Sequence, residues 1–295
     1  MVKTEFFLPI RLCMRLFPSI ALVISIVVSA CSTKPLSPYM EDTPPLILVP
    51  AAQAGVEDQR GRFREIFCAV LEERGPALPD YRPCDEALAR IGVEPEGTGR
   101  NVELGQSKRN LVAVLVPGVG WDCFANWLDI KNTAKTHIQQ FGFDAVMLNV
   151  DGLSSTSNNA RQIRDSIMAM EVTSVEPNLV LIGYSKGAPD ILEAIVSYPE
   201  IRARIAAVVS AAGSVGGSPL ANNATQSLLG MLRNWPGAEC TEGDGGAIES
   251  LRPATRKAWL AENPLPRDFA YHSLVTYPQP DRISSVLRSS YNMLS

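Results

Sequence analysis

At 295 residues the chain is long enough for one large α/β domain or two small ones. Its 46% apolar and 20% charged content is that of an ordinary globular protein, which excludes a disordered or low-complexity chain. A net charge of −4, with no basic cluster beyond the extreme N-terminus, excludes nucleic acid as an expected partner.

Lys3, Arg11 and Arg15 precede an apolar run from Leu16 to Val28, broken only by Pro18 and two serines. The run is short for a transmembrane helix and ends in small residues, so it reads as an export signal. Cys31, directly after Ser29-Ala30, resembles a bacterial lipobox. That resemblance implies removal of residues 1–30 and lipidation of Cys31. Ser32 behind it, in place of Asp, implies the outer membrane of a Gram-negative cell, facing the periplasm. The partner is then the membrane, through the lipid. Met14 is an alternative start, and an ordinary signal peptide or membrane anchor is the alternative reading. Removing residues 1–30 takes away three cations and one anion and brings the net charge from −4 to near −6.

Residues 31–45, rich in Ser, Pro and Thr, read as a flexible tether. Residues 46–110 read as an α-rich N-terminal extension with no evident chemistry. A short strand is expected at 46–49. Phe63, Ile66, Phe67, Val70 and Leu71 then fall at amphipathic helical spacing. A second small helix is expected at 85–90, and a polar, Gly-containing stretch at 92–110. Four cysteines remain beyond the signal and Cys31: Cys68, Cys84, Cys123 and Cys240. An even number in an oxidising compartment suggests disulfides. Nearness in sequence favours Cys68–Cys84, leaving Cys123–Cys240; free buried thiols are the alternative. No C-x-x-C or His-rich spacing supports a metal site.

From residue 111 the pattern becomes strand, loop, helix, repeated. Strands are expected at 111–116, 145–150, 179–183, 205–211 and 269–276, with helices at 126–140, 160–171 and 188–198. This alternation predicts an α/β fold: a mainly parallel sheet flanked by helices. Its centre is the unbroken apolar run Leu179 to Ile182, which leads into Gly183-Tyr184-Ser185-Lys186-Gly187 and then into a helix. A G-x-S-x-G between a buried strand and a helix is the setting of a nucleophile elbow. There the serine is thrust out on a strained turn, and helix amides beyond it face an anion. Residues 213–267 interrupt the alternation with an apolar helix (Leu228, Leu229, Met231, Leu232) and a Gly-rich acidic loop. That insertion reads as a lid over an acyl pocket, or as plain cover for the core.

Three strand exits, Pro117-Gly118-Val119-Gly120-Trp121, Asp151-Gly152-Leu153-Ser154 and the Ser185 motif, together with the insertion, resemble an α/β-hydrolase over residues 111–276. The likeness is to serine esterases and lipases, and more weakly to the GPI-inositol-deacylase-like branch. The resemblance implies Ser185 as nucleophile toward carboxylic, including lipid, esters, and no cofactor. It implies oxyanion donors at the N–H of Lys186 and at Val119 or Gly120. A Ser185–Lys186 pair is disfavoured, since neighbouring side chains in such a turn point apart.

The general base is the gap. The chain holds two histidines, His137 and His272. His137 precedes the serine on a helix flank. His272 falls inside the strand expected at 269–276, whereas the family's order is Ser, acid, then a histidine on a loop after the last strand. In one reading this strand's tip brings His272 to Ser185, with Asp244 or Asp268 as orienter. In the other the chain stops before its final strand and catalytic loop. Asp281 is then the nearest carboxylate to the expected acid, followed only by a helix-like 282–294. The functional expectation is a serine esterase or lipase, and its alternative a catalytically dead lipoprotein of the same fold with a binding or structural role in the envelope.

Overall fold

The computed structural model describes residues 55–77, 81–90, 92–124, 130–171, 176–224, 237–241, 243–276, 280–285 and 287–292. The export signal, Cys31, the tether, the strand expected at 46–49 and the apolar helix expected around 228–232 lie outside the described residues.

Five strands form one parallel sheet: β1 (Val112–Val116), β2 (Asp144–Met147), β3 (Leu179–Tyr184), β4 (Ile205–Ala211) and β5 (Ala270–Leu274), in the order β2-β1-β3-β4-β5. The described helices are α1 (Arg60–Arg74), α2 (Cys84–Ala87), α3 (Trp121–Phe124), α4 (Ile130–Gln139), α5 (Thr156–Ala169), α6 (Gly187–Ser197), α7 (Leu220–Asn223), α8 (Ala247–Ser250), α9 (Pro253–Glu262) and α10 (Arg288–Asn292). The α/β class expected from the alternation is therefore the class observed.

Why β3 takes the centre follows from its composition. Val114, Leu181 and Val208 stand level across three strands and pack on Ile163 and Ile167 of α5 and Ile191 and Ile195 of α6. Each such side chain contributes about 1.5–3 kcal/mol by leaving water. A Leu181→Ala change, leaving a hole in that layer, costs roughly 2–5 kcal/mol. Helix α5 begins four residues before the expected 160, because Ser155 Oγ accepts the Asn158 N–H at 3.2 Å and caps it. β2 ends at Met147 rather than 150, yet Leu148 and Val150 stay buried in the core.

The N-terminal extension departs from its helical pattern. Helix α1 forms, but the face it buries is Gly61 and Arg64, while Phe63 and Ile66 are exposed. A Cβ on Gly61 would lie 2.4 Å from the carbonyls of Pro95 and Glu96, so the segment after α2 crosses the helix where glycine leaves room. Arg64 holds that segment through Glu94 at 2.5 and 2.8 Å. Glu65 accepts from Gly99 N–H and Thr98 Oγ1 one turn on. Polar clasps, not the apolar stripe, close this region, with the Cys68–Cys84 disulfide beside them.

The second half of the insertion is stitched to the loops at the C-terminal ends of β1 and β2. Cys240 is bonded to Cys123, Thr241 N–H donates to Asp122 at 2.7 Å, and Ala247 N–H to the Leu153 carbonyl at 3.2 Å. Ile248 and Leu251 form a second apolar cluster with Leu153 and Ala221, while Trp259 of α9 packs on the main core. In its described part, therefore, the insertion covers core. Strand β5 lies at the sheet's edge with all five residues exposed, and among the described residues of the helix expected at 282–294 the elements are a 3-10 turn (Pro280–Arg282) and α10.

Candidate active site

Ser185 occupies the bend between β3 and α6 with φ of +52°, a left-handed conformation rare for a side chain with a Cβ. The glycines around it are steric necessities. A Cβ at Gly183 would stand 2.5 Å from the main chain of Ala188, and one at Gly187 2.1 Å from the Val116 carbonyl. Larger residues would push strand, helix and the neighbouring β1 apart. The serine's main chain is anchored: its N–H donates to the Ala211 carbonyl at 3.2 Å, and its carbonyl accepts from Ala188 and Ser214 at 3.3 and 3.1 Å. The half-buried hydroxyl is what remains for chemistry.

Facing it is the loop after β1. A Cβ at Gly118 would lie 2.9 Å from Ser185 Cβ and 3.3 Å from its Oγ, so this loop passes directly against the serine. Of the two loop donors the resemblance allowed, Gly120 is engaged: its N–H donates to the Gly152 carbonyl at 3.1 Å. Val119, 37% exposed, is the neighbour that faces solvent beside the serine's loop. On the other side, Lys186 is the N-cap residue of α6 and makes no side-chain cap bond. Amides at a helix start have no earlier carbonyl within the helix, and they carry the positive end of its dipole. Beyond β4, Ala212 is a second non-glycine residue at positive φ, +47°, next to the chain segment bonded to Ser185. Two strained residues on adjacent strand ends mark this rim as the place where the backbone is held against its preference.

Beneath the serine lies a buried polar network absent from the sequence reading. Lys186 Nζ donates to both oxygens of Asp190 at 2.8 Å, with 1% and 0% of the two side chains exposed. The Lys186 side chain thus points into the protein, away from the hydroxyl, as expected of neighbours in this turn. Asn159 Nδ2 donates to Asp190 at 2.8 Å and to the Asp151 carbonyl at 3.1 Å. Burial pushes the Asp190 carboxyl above its ordinary value, and Lys186 and Asn159 pull it back only in part. One turn along α6, burial also raises Glu193, against the pull of Arg256 on α9 at 3.6 Å. The signal for the first pair was partial: opposite charges four apart, with Lys186 just ahead of the helix expected at 188–198 and Asp190 in its first turn.

The histidines are not brought to Ser185. His272 pairs with Val209, which pairs with Ile182, three residues before the serine and two strands away. Two strand spacings of about 4.8 Å and three rises of about 3.3 Å put the His272 and Ser185 Cα atoms roughly 14 Å apart. The reading of His272 as base is thereby corrected: its strand runs along the sheet edge, and the residue sits mid-strand rather than at the tip. Asp244 does not orient it. Partial burial would raise that carboxyl, but Ser155 Oγ, Ser155 N–H and Gly246 N–H outweigh burial and hold it below the ordinary range. Asp268 is exposed before β5, and Asp281 is exposed in the 3-10 turn. His137 is exposed in the last turn of α4, edge-to-face with Phe141 at 5.3 Å. Among the described residues no cluster of His, Cys, Asp or Glu has the arrangement of a metal site, and no helix is long and apolar enough to cross a membrane.

No protein-family model matches the sequence, and no curated protein matches it. Solved structures do. A metagenomic carboxyl esterase, MGS0156, is 36% identical, with 88% of this chain and 79% of that chain covered and a TM-score of 0.77. A Bacillus licheniformis lipase in its mature form is 21% identical, with 59% and 69% covered and a TM-score of 0.46. A Legionella pneumophila phospholipase is 14% identical, with 61% and 42% covered and a TM-score of 0.46.

Proposed function

Because this chain belongs to the esterase- and lipase-like family of α/β-hydrolases, we propose that it is a carboxylic ester hydrolase with Ser185 as nucleophile. The observation that carries this is the strained φ of +52° at Ser185, with the Gly118 loop pressed against the hydroxyl. The Ser185 oxygen attacks the ester carbonyl carbon, and the carbonyl electrons move to oxygen as the tetrahedral intermediate forms. The main-chain N–H groups of Val119 and Lys186 stabilise that oxyanion. Collapse breaks the bond to the alcohol, which leaves with a proton, and water then releases the acid from the acyl-serine. The proton of the serine hydroxyl passes to a general base that is neither the mid-strand His272 nor the exposed His137 on α4.

In the same proposal residues 31–45 tether the domain to the outer membrane through lipid on Cys31, and the apolar stretch around 228–232 within residues 213–267 acts as a lid for a lipid or small-molecule acyl chain. The small residues before Cys31 support the anchor, and the apolar content of 228–232 supports the lid. The placement of His272 in mid-strand, two strands from Ser185, favours a second reading, a non-catalytic fold that binds an envelope ligand. A fluorophosphonate probe separates the two. Covalent labelling that Ser185→Ala abolishes supports the hydrolase, and an unlabelled wild type refutes it. Metabolic labelling with palmitate, lost in Cys31→Ala, tests the anchor independently.

A further inference from the structure

We propose that Asn159, Asp190 and the side chain of Lys186 are positioning residues that fix the spacing between the two oxyanion donors. This rests on Ser185 being the nucleophile.

The arrangement is a poor choice for stability alone. Each ion removed from water costs several kcal/mol, and a well-packed apolar pair of the same volume is often at least as stable. What the pair does is hold geometry. Lys186 sits at the N-cap with helical backbone angles, φ −60° and ψ −29°, and its long side chain folds back to Asp190 instead of capping. Asn159 then links Asp190 to the chain leaving β2, because one Nδ2 donates to both Asp190 Oδ2 and the Asp151 carbonyl. Both partners are acceptors, so only the NH₂ end of the amide can face them. Asn159 is 1% exposed and its Oδ1 has no partner, so the side chain leaves an acceptor unsatisfied in making these two bonds.

From Asp151 the connection continues. The next residue, Gly152, accepts from Gly120 N–H and donates to Asp122, both at 3.1 Å. A continuous path of hydrogen bonds and main chain thus runs from Lys186 through α6, α5 and the β2 exit to the turn that carries Val119. The residues at its two ends are the two whose N–H groups face the oxyanion. A shift at Asn159 moves one donor relative to the other, and misplacement by about 1 Å can cost 10²-fold in rate.

The test uses the full chain and two variants. Asn159→Leu keeps volume and removes both bonds; the double variant Lys186→Met with Asp190→Leu replaces the ion pair by packing. Hydrogen exchange of residues 117–121 and 184–188 is measured beside the fluorophosphonate reaction, resolved into its limiting rate and half-saturating concentration. The expected result is faster exchange in both segments together, about tenfold for one lost hydrogen bond. The limiting rate falls roughly 10–100-fold at unchanged half-saturation, less than the 10²–10³ of losing a donor outright. Exchange in 117–121 unchanged by Asn159→Leu overturns the proposal, as does a limiting rate within twofold of wild type in both variants. If the wild type does not label, the nucleophile reading falls by itself, and the exchange result alone supports or overturns the coupling.

Discussion

Replacing Gly118 by alanine places one methyl group at the wall of the site. Its Cβ would lie 2.9 Å from Ser185 Cβ, 3.3 Å from Oγ and 3.4 Å from the Tyr184 carbonyl. Carbon atoms pack at about 3.5–4.0 Å, so the loop must retreat by roughly 0.6–1.1 Å. Gly118 is not among the positive-φ glycines, so alanine brings no backbone penalty of its own. Overpacking of this size costs about 1–3 kcal/mol, which leaves the domain folded. The same displacement at the reacting oxygen costs on the order of 10²-fold. Fluorophosphonate labelling should therefore slow about 10²-fold while the urea midpoint shifts only modestly. Gly187→Ala is the contrast: its Cβ meets main-chain oxygens at 2.1 and 2.7 Å, neither on a movable side chain, and the fold itself should fail. A folded Gly118→Ala protein that labels within threefold of wild type would refute the placement of this loop against the nucleophile.

Ser185→Gly removes the left-handed strain and should raise stability by about 1–2 kcal/mol in denaturant melts while abolishing labelling; a destabilised variant would contradict the strained bend. His272→Ala and His137→Ala should each leave the labelling rate within twofold of wild type, and a tenfold loss in either would restore a histidine to the mechanism. Cys240→Ser should cost about 2–4 kcal/mol and speed protease cleavage within 237–246, since the bond closes a long loop; unaltered melting and cleavage would show the tether to be idle. Glu65 is held down to about 2, first by the Arg62 side chain and then by Gly99 N–H, from an ordinary value of 4.5. Its lowered value means the clasp to residues 98–99 is intact above the ordinary range and lost as pH falls toward about 2. Hydrogen exchange at the Gly99 amide, taken relative to its intrinsic rate, should then rise below pH 4, and an unchanged protection would show that the clasp does not depend on this carboxylate.

The legible parts of this molecule are those whose signal is local. Leu179 to Ile182 read as a buried strand because four apolar residues in a row suit nothing else so well at that length. The Gly183 and Gly187 spacing then announced a bend too tight for side chains, and the structure supplies the backbone atoms they would strike. Nearness in sequence also favoured Cys68–Cys84, which left Cys123–Cys240, and both pairs form. What failed was whatever depended on a distant partner. The stripe from Phe63 to Leu71 has helical period, yet the segment crossing α1 selects Gly61 and Arg64 as its buried face. His272 was weighed by its order in the chain, but sheet order places β5 beyond β4 and the residue mid-strand. Asn159 carries no signal of its role, since nothing nearby in sequence shows that Asp190 lies across from it.

The covalent link between Cys123 and Cys240 encircles β2, β3, β4 and Ser185, with the sulfur partners 117 positions apart. One cut anywhere from 124 to 239 therefore releases no fragment, and the severed halves migrate as one band until a reductant is added. A nicked molecule keeps its nucleophile fastened to both flanks of the sheet, so breakage of this ring need not mean loss of the domain.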